Sequence, residues 1–99
     1  VKIHHIKLDP SSKTALEALI SVAQTDTGQA KVCADFLLAW HNPDENGGFA
    51  ITDLWGLDAE LADACTKVFQ WLCEHSVYPD ELGYGDEMKL IWTRWRSHA

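Results

Sequence analysis

His41, Asp44 and Glu45, within His41-Asn42-Pro43-Asp44-Glu45, form the densest set of side chains in this chain able to do acid or base work. A carboxylate beside a histidine raises its proton affinity and fixes its tautomer, which a general base requires. Catalysis needs more than a base, and no nucleophile accompanies the cluster. Ser11, Ser12, Ser21, Ser76 and Ser97 stand outside any G-x-S-x-G context, and Gly47-Gly48 lacks the lysine of a phosphate loop and lies in an acidic region. The plainer reading is a helix-ending histidine beside a solvated acidic loop. No residue is assigned a catalytic role on this basis, and a small enzyme or ligand binder using His41, Asp44 and Glu45 is the competing class.

Metal chemistry would draw on Cys33, Cys65, Cys73 and His75. Cys73 and His75 are two residues apart at a helix end, which points them about 200° apart, and no pair has C-x-x-C or H-x-x-x-H spacing. His4-His5 is a poor chelate, because adjacent side chains on an extended segment face opposite ways. No metal or cofactor is expected. The odd number of cysteines, each within an apolar helical pattern, suits buried reduced thiols in a cytoplasmic protein better than a disulfide framework.

Charge narrows the partners. The net charge is −7, with 15 acidic against 8 basic residues, and the bases gather toward the two ends: Lys31 and Lys67 stand alone in an acidic middle. A nucleic-acid backbone would be repelled there, whereas a partner with a basic surface would be attracted. The same charge also serves plain solubility. No apolar run reaches the length of a membrane span, and no signal peptide is visible.

These residues must be positioned by helices. Asp9-Pro10-Ser11-Ser12 is a helix start, and Leu16, Leu19, Ile20 and Ala23 follow at i, i+3, i+4 and i+7. Thr25 to Gly28 breaks this helix and caps a second, whose Cys33, Phe36, Leu37 and Trp40 sit on one stripe with Ala30, Ala34 and Leu38 beside it. Apolar around much of its girth, it is the expected central helix, with Lys31 and Asp35 marking its wet side. Asn42-Pro43 ends it, Pro43 to Gly48 is the expected exposed tip, and Phe49, Ile51, Leu54 and Trp55 are expected to pin the return to the core. Asp58 opens a third long helix with Leu61, Cys65, Val68, Phe69 and Leu72 on its buried stripe and Trp71 at its edge. A last helix carries Met88, Ile91, Trp92 and Trp95, and is closed by Arg94 and Arg96 where cations suit the helix dipole.

The fold expected is therefore all-α: a single compact four-helix domain over residues 11–99, with helices near 11–24, 28–41, 58–75 and 86–97. Short extra helical turns fall in its connections near 52–55 and 79–83, and residues 1–10 form an extended N-terminal tail. A chain of 99 residues buries only about two-thirds of its unfolded surface. Five tryptophans, Trp40, Trp55, Trp71, Trp92 and Trp95, supply core area that such a domain lacks. Packing is their plainer use, but Trp55, Trp71 and Trp92 are placed where a ring could stay open for binding.

Several fragments carry a family likeness: Asp26-Thr27-Gly28-Gln29, Ala34-Asp35-Phe36-Leu37-Leu38-Ala39-Trp40, Gly47-Gly48-Phe49, Thr52-Asp53-Leu54-Trp55 and Tyr78-Pro79-Asp80-Glu81-Leu82-Gly83-Tyr84-Gly85. Their order resembles that of a family of small bacterial proteins of unknown function, often encoded on plasmids and integrative conjugative elements. The likeness runs from Ala15 to Arg96 and leaves residues 1–14 outside. It implies a bacterial cytoplasmic setting and a mobile-element origin, and it assigns no activity to any position.

The function expected is a non-enzymatic protein-interaction or regulatory accessory module. Its binding face would be acidic and aromatic, carried by Asp44, Glu45, Asp53 and Trp55. A third class, an acidic inhibitor that mimics nucleic acid, requires a regularly spaced row of carboxylates on one face.

Overall fold

The computed structural model describes residues 7–96, so residues 1–6 of the expected tail, with His4-His5, lie outside the described residues. Four long helices carry the fold: α1 (Pro10–Ala23), α2 (Gly28–His41), α4 (Ala59–Glu74) and α5 (Gly85–Arg96). Between them lie a four-residue helix α3 (Pro43–Asn46) and two 3-10 turns, η1 (Ile51–Gly56) and η2 (Pro79–Leu82). There is no strand among the described residues, and the fold is all-α.

Local chemistry sets the helix starts. The side chain of Asp9 accepts from the backbone N–H of Ser12, Thr27 from Ala30 at 3.1 Å, and Asp58 from Leu61 at 2.8 Å. Each satisfies an N–H that the first turn leaves without a helical partner. η2 is closed by Gly83, whose φ of +95° is a left-handed geometry that a side chain resists.

α1 packs along α4 and α2, and α2 in turn packs against α5, α3 and η1. The centre of the molecule is filled by Leu16, Leu19, Leu37, Leu38, Val68, Met88 and Ile91, all essentially without solvent contact. α2 is the central helix, as its girth of apolar residues predicts: six consecutive residues, Cys33 to Leu38, are buried.

The apolar pattern of α4 places its buried arc differently from the expectation. Leu61, Ala64, Cys65, Val68 and Trp71 face inward, while Phe69 is 60% exposed. At about 100° per residue the arc from Trp71 to Cys65 spans about 120°, and Phe69 falls about 40° beyond it. Trp71 is thus core rather than edge, and its ring stacks on His75 at 4.2 Å. Among the cysteines, Cys33 and Cys65 are buried but Cys73 is exposed, contrary to the expectation of three buried thiols. Burial pushes the Cys33 thiol up to about 12, with Cys65 and Asp58 adding to it, and the Cys65 thiol up to about 11. Both stay protonated and unreactive at neutral pH.

α5 is tied down along its whole length. Tyr84 Oη, just before it, donates to Glu17 on α1 at 2.8 Å, and Trp95 Nε1 donates to the Ala23 carbonyl at 2.7 Å. Arg94 reaches the Thr25 carbonyl and the Asp26 carboxylate. Arg94 thus cross-links α5 to the α1–α2 turn, and Arg96 also donates through Nη1 to the Trp95 carbonyl at 3.3 Å, a local bond at the helix end where cations suit the dipole.

Candidate functional site

The connection after α2 begins with a helix ending under local control. Asn42 leaves helical geometry, with Pro43 behind it, and its side chain accepts from the Glu45 N–H at 3.3 Å, capping a new turn. Pro43 suits the first position of that turn. The expected exposed tip is thus helix α3, and its last residue, Asn46, is buried with Nδ2 donating to the Leu38 carbonyl at 3.3 Å. Gly47, at φ +87° with open space where a Cβ would sit, lets the chain leave α3 by conformation alone.

A charged clamp holds this corner. Arg96 donates through Nη2 to Asp35 at 2.6 Å and through Nε to the Asn46 carbonyl at 2.8 Å, while Lys31 Nζ reaches the other Asp35 oxygen at 3.0 Å. Asp35 is buried, 7% exposed, so it does not mark a wet side of α2. Two cations share this carboxylate, and their attraction offsets part of the cost of taking it out of water.

The chain then returns along α2. Phe49 meets the Phe36 ring edge-on at 5.4 Å, and further on Gln29 Oε1 accepts from the Asp58 N–H at 2.6 Å. Leu38, Phe36 and Gln29 are thus met in turn, an antiparallel path down about 13 Å of α2. η1 lies on this path. Phe49 and Leu54 pack against the core, but Ile51 is 69% and Trp55 85% exposed. The return is therefore pinned by two residues rather than four. η1 buries no residue and has no side-chain cap, and its Asp53 is half-buried.

The four residues expected to form one binding face are consequently split into pairs. Asp44 and Glu45 are exposed on α3 at the C-terminal end of α2, whereas Asp53 and Trp55 ride on η1 beside its earlier turns.

His41 sits between two grooves. One, of about 540 Å³, is bordered by His41, Glu45, Asp80, Asp86, Lys89 and Trp92. The second, of about 480 Å³, is bordered by His41, Asn42, Asp44, Tyr78 and Asp80. Asp44 and Glu45 thus open onto different grooves, and neither makes a hydrogen bond or ion pair with the histidine. His41 Nδ1 is buried with no hydrogen-bond partner among the described residues. A general base needs a partner that holds its tautomer, and Nδ1 has none among the described residues. No group of three or more His, Cys, Asp or Glu among the described residues could hold a metal ion.

With this geometry in place, comparison with protein families gives one result. Residues 13–96 match the model of a family of unknown function, DUF7673. The chain belongs to this family. The DUF7673 span covers α2 to α5 entirely and most of α1, and it includes the Asp35–Arg96 clamp, η1 and both grooves. It agrees closely with the span over which the sequence fragments resemble an unknown-function family. Comparison with curated proteins and with solved structures finds no match.

Sequence reasoning passed over Asn46, Asp80, Asp86 and Arg96 as contributors to this end of the molecule. Asn46 had a local signal, since it stands just before Gly47 at the end of a Pro-started turn, where a helix stop is favoured. For Asp80, Asp86 and Arg96 no local signal exists. They are brought to this end of the molecule by η2, which carries Asp80, and by the packing of α5 on α2.

Proposed function

We propose that this chain is a non-enzymatic protein-interaction module, an accessory factor of a bacterial mobile element acting in the cytoplasm, with Trp55 as its anchor. The observation that supports it is the exposure of Trp55, at 85%, together with Ile51, at 69%, one turn earlier on η1. Indole surface left in water costs free energy that a partner's apolar contact recovers, and tryptophan is enriched among the residues that dominate interfaces. Asp53 on the same turn and the overall charge of −7 favour a protein partner with a basic surface over a nucleic acid.

The enzyme alternative built on His41, Asp44 and Glu45 has less support, because His41 makes no hydrogen bond or ion pair with either carboxylate among the described residues. The nucleic-acid mimic is also disfavoured. Asp9, Glu17, Asp26, Asp35, Asp58, Asp63 and Glu81 are engaged in caps and pairs within the protein. The acidic residues not so engaged among the described ones are distributed over α3, η1, α4, η2 and α5, so no single element carries an evenly spaced row.

The test compares capture from the native host by the natural chain and by Trp55→Ser, with partners identified by mass spectrometry. A partner retained by the first and lost by the second, at equal thermal stability, supports the proposal. Identical captures, or no reproducible partner, overturn it.

A further inference from the structure

The two grooves that meet at His41 are one cleft in chemical terms, since His41, Asn42 and Asp80 border both. Each groove has an aromatic side chain open to solvent at its edge: Trp92, 42% exposed, in the larger and Tyr78, 56% exposed, in the smaller. Each also has carboxylates, Glu45, Asp80 and Asp86 in the first and Asp44 and Asp80 in the second, against the single cation Lys89. None of Asp44, Glu45, Asp80 or Asp86 has a side-chain hydrogen bond or ion pair among the described residues, and neither does the Lys89 ammonium.

That is a different use of charge from the rest of the molecule. Asp35 is shared by two cations, Asp26 and Asp63 are ion-paired, and Asp9 and Asp58 cap helices. Around the cleft the carboxylates stand in the first turns of α3, η2 and α5, where they suit the helix ends, but no cation or cap among the described residues engages them. An aromatic face beside unpaired carboxylates is the combination that receives a cation: the ring attracts it through its π-face and the carboxylate through charge-assisted hydrogen bonds. A guanidinium serves both interactions at once, because it is planar and offers a fork of donors.

We infer that this cleft binds an extended basic peptide segment of a partner protein, one arginine lying against Trp92 between Glu45 and Asp86 and a second against Tyr78 beside Asp44, with Asp80 between them. The occupant follows from charge complementarity and from the two aromatic edges. The inference goes beyond the Trp55 contact, since it concerns a separate surface, and the two are tested by different variants.

The probe is a blocked hexa-arginine peptide, titrated into the isotopically labelled full chain and followed by amide and indole NMR signals. The expected result is a saturable shift of the Trp92 indole N–H and of backbone amides at Tyr78, Asp80 and Asp86. The Trp40 and Trp95 indoles, which donate to the carbonyls of Val77 and Ala23, stay in place. Asp80→Asn combined with Asp86→Asn, both at exposed positions, weakens binding about tenfold with the melting temperature retained. Trp55→Ser leaves this titration unchanged, so the cleft and the Trp55 contact can fail separately. The inference is overturned if no signal shifts, if the Glu60, Asp63 and Glu74 face of α4 responds as strongly, or if a blocked hexa-glutamate peptide produces the same shifts.

Discussion

Two short turns in one connection, α3 and η1, use their residues in opposite ways. α3 is Pro-Asp-Glu-Asn, without a large apolar side chain, yet it has a side-chain cap, a buried Asn46, and a carbonyl held by Arg96. η1 contains Ile51, Leu54 and Trp55, yet it buries no residue and has no side-chain cap. Between these two turns, full burial follows hydrogen bonding rather than hydropathy. Where the chain turns over the end of α2, backbone groups have lost their helical partners, and polar side chains are drawn in to satisfy them. Along the flank of α2 the helix satisfies itself, and Phe49 and Leu54 suffice to hold the chain down.

The strongest way to break the comparison is to remove Asp35. Asp35→Ala leaves Arg96 and Lys31 without their shared counter-ion, and Arg96 is only partly reached by water. We expect a loss of about 3 kcal/mol, near the low end for breaking a buried pair, because the arginine keeps some solvent contact and its bond to Asn46. Chemical denaturation would measure it. If Asp35→Ala cost no more than a surface substitution, the clamp would not be what holds α3. A cycle with Arg96→Ala separates the pair from its parts, and the double variant should lose less than the sum of the singles.

Asn46→Ala probes the same corner with a smaller effect, about 1 kcal/mol. The bond from Nδ2 to Leu38 is lost, but the Leu38 carbonyl still accepts from the Asn42 backbone N–H at 2.9 Å, so no acceptor is stranded. Trp40→Phe should be of similar size or slightly less. It removes the 2.9 Å bond from Nε1 to the Val77 carbonyl, which ties the end of α2 to the segment before η2, while most of the ring area is kept. Thermal melts of both variants would place them between Asp35→Ala and any change on η1.

Much of this contrast was open to sequence reasoning, and the part that was not has one cause. The long helices were legible because their starts are signalled within three or four residues, at Asp9-Pro10, Thr27 and Asp58, and their stripes repeat locally. The end of α2 at Asn42-Pro43 was equally legible. Asp35 was misplaced on a wet face because its main partner, Arg96, is 61 residues away, and the i, i+4 relation to Lys31 is what a surface pair also shows. The exposure of Ile51 is not legible, and Trp55 is left between a core pin and an open binding ring, because apolar identity in a short turn does not say which flank of α2 has room. Trp40 and Trp95 illustrate the same limit: both rings anchor through their N–H to carbonyls 37 and 72 residues distant. Of the candidate site, Asp44, Glu45 and His41 were legible as a cluster in sequence. Their separation into two grooves depends on η2 and α5 arriving beside them.

The smallest effect on folding is expected where the ring is largest. Trp55→Ser should change the unfolding free energy by less than about 0.5 kcal/mol, because a side chain 85% exposed makes few contacts to lose. Its midpoint in denaturant should overlay that of the natural chain, and its solubility should improve as indole surface is removed from water. Ile51→Ser should behave alike, and the pair should be additive, since neither residue is buried. Were Trp55→Ser to cost as much as Asn46→Ala, η1 would be a structural pin after all, the contrast with α3 would collapse, and the exposed indole would no longer need a partner to explain it.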